Sequence, residues 1–225
     1  MRDLNADQLQ ANLQAFRAGL SPDARYASFD YCYNYFQDFR ERGPLKTLAC
    51  EEHLQVSALH LGFYLASWGM YRGSTELLQR SVRHLSPVIA FIANTPKSIW
   101  DIDVDHYTPT AIDELLNLNE TLKEALKGNA TDTLLTKIML GVFGNVPAFD
   151  TQFKAGFGTS SLGKKALEAV GAFAREHHEF LSSQRIHTHD FLTGAHTNRP
   201  YPKAKLLDMI FFIEGSRGQS GQSSK

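Results

Sequence analysis

Apolar residues recur at three- and four-residue steps along almost the whole of this 225-residue chain, and nowhere do they alternate with polar ones as in a half-buried strand. A chain patterned this way buries its apolar stripes by packing helix on helix, so the expected fold class is all-α. With 43% hydrophobic residues, the length suffices for one substantial core. The spacing predicts a compact multi-helix orthogonal bundle of about nine or ten helices. It forms a single globular domain over residues 1–214, and the breaker-rich stretch near residues 94 to 108 is where two lobes would part. Residues 215–225 (GSRGQSGQSSK) contain no apolar side chain to offset ordering entropy, so a disordered tail is expected.

Capping residues mark the helix boundaries. Ser21-Pro22-Asp23 reads as an N-cap with proline at the first helical position, opening a helix that Gly43 ends. On it Tyr26, Phe29, Cys32, Tyr33 and Phe36 share one broad face, which leaves Tyr31 and Tyr35 off it. Leu54, Ala58, Leu61, Leu65 and Trp68 carry a second helix over residues 51–72, followed by Gly73 and a new cap at Ser74. Ser86-Pro87, Thr108-Pro109, Thr131 and Ser161 open further helices, Asn94-Thr95-Pro96 and Gly128 close two of them, and Tyr201-Pro202 begins the last.

Charge excludes less than it suggests. Lys and Arg number 23 against 24 Asp and Glu, a net charge of -1, so the whole chain does not announce a polyanion or an anionic membrane. The distribution is uneven: residues 151–225 hold 10 basic and 6 acidic side chains, the rest 13 and 18. A basic lip of Lys154, Lys164, Lys165, Arg199, Lys203 and Lys205 is therefore the expected surface for a polyanion. Cys32 and Cys50 lack C-x-x-C spacing and fit a reducing compartment. With no apolar run long enough to span a bilayer and no apolar leader core, the expectation is a cytoplasmic protein without a membrane partner.

The most informative stretch is residues 133–153, TLLTKIMLGVFGNVPAFDTQF. Leu135, Ile138, Met139 and Val142 form an apolar helix that stops at Gly144, and Asn145-Val146-Pro147 then delivers Asp150-Thr151 to the start of another helix. A carboxylate placed there meets unpaired backbone N–H groups and the positive end of the helix. Beside a pocket, such an acid stabilises a cationic transition state or activates water. Away from one, it is simply a helix cap.

Residues 136–151, TKIMLGVFGNVPAFDT, resemble the segment of helix-hairpin-helix DNA glycosylases in which an apolar helix is followed by a glycine, a proline-containing turn and the catalytic V-D-T. The closing YPKAKLLDMIFFIEG is similar to the packing helix that ends many of those domains. Thr131 and Thr133 stand near the places of that family's hairpin glycines, and Leu135 stands where lyase-competent members keep a nucleophilic lysine. The resemblance implies a DNA-repair enzyme that flips out a damaged or modified base and hydrolyses its N-glycosidic bond, with Asp150 as the catalytic carboxylate. Without the hairpin lysine it implies monofunctional chemistry, and it calls for no metal or cofactor. For DNA as the partner, the substrate-binding candidates are the aromatics Tyr31, Tyr35, Trp68 and Tyr71 together with Lys137, Lys154, Arg185, His187, His189 and Lys203.

Five of the nine histidines, His177, His178, His187, His189 and His196, fall within 20 residues, beside Glu176, Glu179 and Asp190. That density is compatible with Zn, Mn or Fe, but adjacent His177 and His178 point about 100° apart on a helix and no H-E-x-x-H occurs. Two other readings follow: a metal-dependent hydrolase using His177, His187, His189 and Asp190, and a non-catalytic helical module whose Tyr-rich helix meets another protein. Gly158 to Lys164 approaches a P-loop, but Lys165 replaces the hydroxyl that would hold magnesium.

Overall fold

The computed structural model describes residues 4–73, 75–127 and 130–220. The fold is all-α. Among the described residues the chain forms α1 (Ala6–Arg17), α2 (Ser28–Arg42), α3 (Glu51–Ser67), α4 (Ser86–Asn94), α5 (Lys97–Trp100), α6 (Pro109–Leu126), α7 (Asp132–Val142), α8 (Thr151–Phe157), α9 (Lys164–Glu176) and α10 (His178–Ser183). A small antiparallel pair, β1 (His187–His189) and β2 (His196–Pro200), precedes the last helix, α11 (Lys203–Ser220). One continuous set of buried side chains runs from Leu4 to Phe211. Within it α2 packs on α3 and α7, α6 on α4 and α9, and α11 on α1 and α8.

Several boundaries follow the capping chemistry. Thr108 accepts from the Ala111 amide at the start of α6, Thr131 from the Leu134 amide at the start of α7, and Gly43 ends α2. Others differ. Ala24 is extended and residues 25–27 form a single 3-10 turn, so α2 begins at Ser28 rather than at Ser21. Tyr31 anchors the preceding loop by donating its hydroxyl to the Pro22 carbonyl at 2.5 Å. α3 stops at Ser67 because Gly69, at φ +78, turns the chain away. The segment read as one helix from Ser161 is two, capped at Gly163 and divided at His177. Ser74 and Gly128, read as a cap and a stop, lie outside the described residues.

The hairpin was not expected, since neither strand alternates apolar with polar residues. It is pinned to α2 through Asn34, whose Nδ2 donates to the His189 carbonyl while its Oδ1 accepts from Thr188 and Arg199. Asp103 then fixes the start of α11, accepting from the Lys203 and Ala204 amides at 2.7 and 2.9 Å and from the Val104 amide at 2.7 Å. Burial nevertheless pushes the Asp103 carboxyl up to about 6.

The expected tail is also corrected. α11 continues through Ser220, so the ordered chain does not end at residue 214; residues 221–225 lie outside the described residues. The continuation has a packing reason. A Cβ on Gly215 would stand 2.0 Å from the Gln152 carbonyl oxygen, and one on Gly156 would stand 2.1 Å from that of Phe211. Two glycines therefore let the backbones of α8 and α11 touch, and that contact fixes the direction of α8.

Candidate functional site

The turn from α7 to α8 is held from three sides. Gly144, at φ +71, ends α7 with its amide donating to the Met139 and Leu140 carbonyls. The Asn145 carbonyl accepts from the Tyr107 hydroxyl at 2.6 Å, and the Ala148 amide donates to Asp208 Oδ1 on α11 at 3.1 Å. The Phe149 amide donates to Thr136 Oγ1 at 2.8 Å, and Thr133 donates back to the Phe149 carbonyl at 3.0 Å. Asp150 emerges from this fixed turn as the N-cap of α8.

Its Oδ1 accepts from the Gln152 and Phe153 amides, each at 3.0 Å, and its Oδ2 accepts from Lys137 Nζ at 3.0 Å. Among the described residues three donors and no acceptor face the group, which is the pattern of a carboxylate anion with one lone-pair site left open. The Lys137 side chain is only 3% exposed and that of Asp150 15%. Lys137 also lies 4.9 Å from the centre of the Trp68 ring.

Asp150 faces a cleft of about 430 Å³ whose walls include Arg25, Trp68, Arg72, Lys137 and Phe212. Arg25 and Arg72 are exposed and have no carboxylate partner among the described residues; Arg25 donates to the Tyr26 hydroxyl. Behind the indole, Lys205 is 1% exposed, pairs with Asp208 at 2.8 Å and sits 4.3 Å from the Trp68 ring centre. Asp208 thus neutralises a buried lysine and holds the Ala148 amide, joining the back of the cleft to the turn that carries Asp150. The Trp68 Nε1 is buried without a hydrogen-bond partner among the described residues.

Of the residues singled out from the sequence, Asp150, Trp68 and Lys137 meet in this cleft. The others do not. Tyr31 packs edge-on against Phe191, Tyr35 bonds to Ser57 and stacks on His60, and Tyr71 keeps a buried hydroxyl, without a partner among the described residues, outside the lining. Lys154 lies farther along α8, and Lys203 pairs with Asp105. Arg185, His187 and His189 border a different hollow. Among the described residues no group of three or more His, Cys, Asp or Glu is arranged to hold a metal ion.

The basic lip does not form as read. Lys205 is buried against Asp208, Arg199 is shared by Asp38 and Glu41 at 2.7 Å each, Lys203 pairs with Asp105 and Lys164 with Asp113. Four of its six charges are paired with acids, Lys205 and Arg199 in buried or half-buried pairs and Lys164 in an exposed one. Arg25 escaped the sequence reading because it sits in the 3-10 turn that replaces the expected helix start, and only that turn brings it to the cleft.

No helix among the described residues is long and apolar enough to cross a membrane. No protein-family model, curated protein or solved structure matches the chain.

Proposed function

We propose that the chain is a DNA-binding, glycosylase-like enzyme that receives one extruded nucleotide in the Asp150 cleft and hydrolyses its N-glycosidic bond. The observation that supports this reading is a carboxylate anion held by two amides and an ammonium, facing a cleft that also presents an indole and two unneutralised guanidinium groups. The volume accommodates a nucleobase, Trp68 supplies an apolar wall, and Arg25 and Arg72 are placed to meet flanking phosphates. As the bond from C1′ to the base nitrogen breaks, positive charge develops on the sugar. The fixed carboxylate offsets it without reorganising, and its open lone-pair site orients the water whose oxygen adds to C1′; the water's proton leaves with the base.

Lys137 is the amine nearest the reacting position, but as an ammonium paired to Asp150 it is not a nucleophile. The enzyme would therefore be monofunctional, and borohydride trapping on damaged DNA should give no covalent adduct. The principal test incubates the protein with duplexes carrying deaminated, oxidised and alkylated bases and scores abasic sites. Excision by the native protein, reduced about a hundredfold or more by Asp150→Asn, is the expected result. Absence of excision across the panel, together with absence of salt-sensitive DNA binding, overturns the reading.

A second reading has one observation in its favour. Val56, Leu59 and Phe63 lie along the outer face of α3 and are 43%, 48% and 66% exposed. Such a stripe suits contact with a protein partner. Concentration-dependent assembly in sizing chromatography, abolished by Phe63→Glu, would support it.

A further inference from the structure

A second hollow lies away from Asp150, between the end of α1 and the hairpin. Its volume is about 150 Å³, several water volumes. Arg17, Arg185, His187, His189 and His196 line it, the rest of the described wall is aliphatic, and no carboxylate of the described residues is part of it. We infer that this hollow is a binding site for a phosphate group. The inference rests on its own lining and requires nothing of the Asp150 cleft.

Three features distinguish it from a chance grouping of basic side chains. First, neither the Arg17 nor the Arg185 guanidinium makes a hydrogen bond or ion pair with any described residue, whereas the nearby Arg199 is held by Asp38 and Glu41 and Arg40 by Asp101. In a chain of net charge -1, two unpaired guanidinium groups facing one hollow are arranged for an anion from outside.

Second, the strand geometry gathers the imidazoles. His187 and His189 are two residues apart on β1, and His196 pairs with His189 across the sheet, with ring centres 4.5 Å apart.

Third, His189 is built in rather than swinging free. It is 7% exposed, and its backbone amide and Nδ1 both meet Asp30 Oδ2, at 2.8 and 2.9 Å. Asp30 is fully buried and takes the Tyr201 hydroxyl on its other oxygen at 2.5 Å. A carboxylate on Nδ1 fixes the orientation of the ring in the wall of the hollow. The site is assembled from residues 17 and 185–196, far apart in the chain, and its two guanidinium groups offer forked donors suited to a tetrahedral oxyanion, with the imidazoles beside them.

The test titrates inorganic phosphate, a nucleoside monophosphate and a short single-stranded oligodeoxynucleotide into the full-length protein at pH 6, following the histidine ring signals by NMR. Saturable shifts of His187, His189 and His196 are expected, weakened about tenfold in Arg17→Gln/Arg185→Gln and unchanged in Asp150→Asn. Tighter binding of either small phosphate than of the oligomer assigns the ligand as a free phosphate compound; tighter binding of the oligomer assigns it as a nucleic-acid backbone. If none of the three probes moves those signals at millimolar concentration, or if they move equally in the double arginine variant, the inference is overturned. Excision activity is not read in this experiment, so its failure is distinguishable from failure of the glycosylase reading.

Discussion

Lys137 and Asp150 hold each other in positions neither would occupy alone. The lysine is 3% exposed, and the aspartate's second oxygen has no other donor among the described residues. Asp150→Ala removes a helix cap, at about 1 kcal/mol, and leaves a buried ammonium unpaired, at about 3 kcal/mol more. Lys137→Met keeps the packing against Trp68 and leaves Asp150 its two amides, so it should cost much less. In urea denaturation the double variant should then be more stable than Asp150→Ala alone, a coupling that a purely surface pair would not show. The cap was legible in the sequence because its bonds reach only two and three residues ahead. The lysine, 13 residues away, was legible as a substrate-binding candidate but not as the partner of Asp150. Asp103 carries a second prediction at this scale. With its carboxyl raised to about 6, the folded chain binds more protons than the unfolded one between the ordinary aspartate value and that point. Stability from this group is therefore full in acid and falls as pH rises from about 4 to 6, by about 2 to 3 kcal/mol. Denaturation midpoints of native protein and Asp103→Asn, measured across that range, should diverge in slope, with the asparagine variant lacking the decline.

Among the elements, α8 is the one whose placement decides the site, and glycines at its interface with α11 decide α8. Gly215→Ala would put a methyl group 2.0 Å from the Gln152 carbonyl oxygen, and backbone rather than a flexible side chain must yield. A loss of about 3 kcal/mol or more is expected in thermal or urea unfolding, with Gly156→Ala similar. Gly43→Ala, where a Cβ meets nothing within 4 Å and φ is -157°, should be nearly silent and serves as the control. Local composition hid this contact: a stretch without apolar residues reads as disordered, yet small residues are what a close helix crossing requires. The helices α4, α6 and α7 were legible because proline or a hydroxyl residue marks each start. The hairpin was not, because His187-Thr188-His189 owes its conformation to Asn34 and Asp30 on α2, more than 150 residues earlier.

At the scale of the whole molecule, the question is how many charges remain free to meet DNA. The sequence suggests a lip of six, but the fold pairs Lys164, Arg199, Lys203 and Lys205 with acids, and the Asp150 cleft offers Arg25 and Arg72 instead. These alternatives differ in salt dependence. Two phosphate contacts give a slope of about -2 in log affinity against log salt, so affinity should fall about tenfold between 50 and 200 mM salt. Six contacts would give a slope near -5 and a loss of about a thousandfold over the same range. Fluorescence anisotropy with a labelled duplex separates the two. The shallow slope is expected, and Arg25→Gln/Arg72→Gln should flatten it further while leaving the fold intact, since both side chains are exposed and neither pairs with an acid among the described residues. A steep slope insensitive to those two arginines would place the DNA on another face, and Asp150 would then be a helix cap beside an unused cleft.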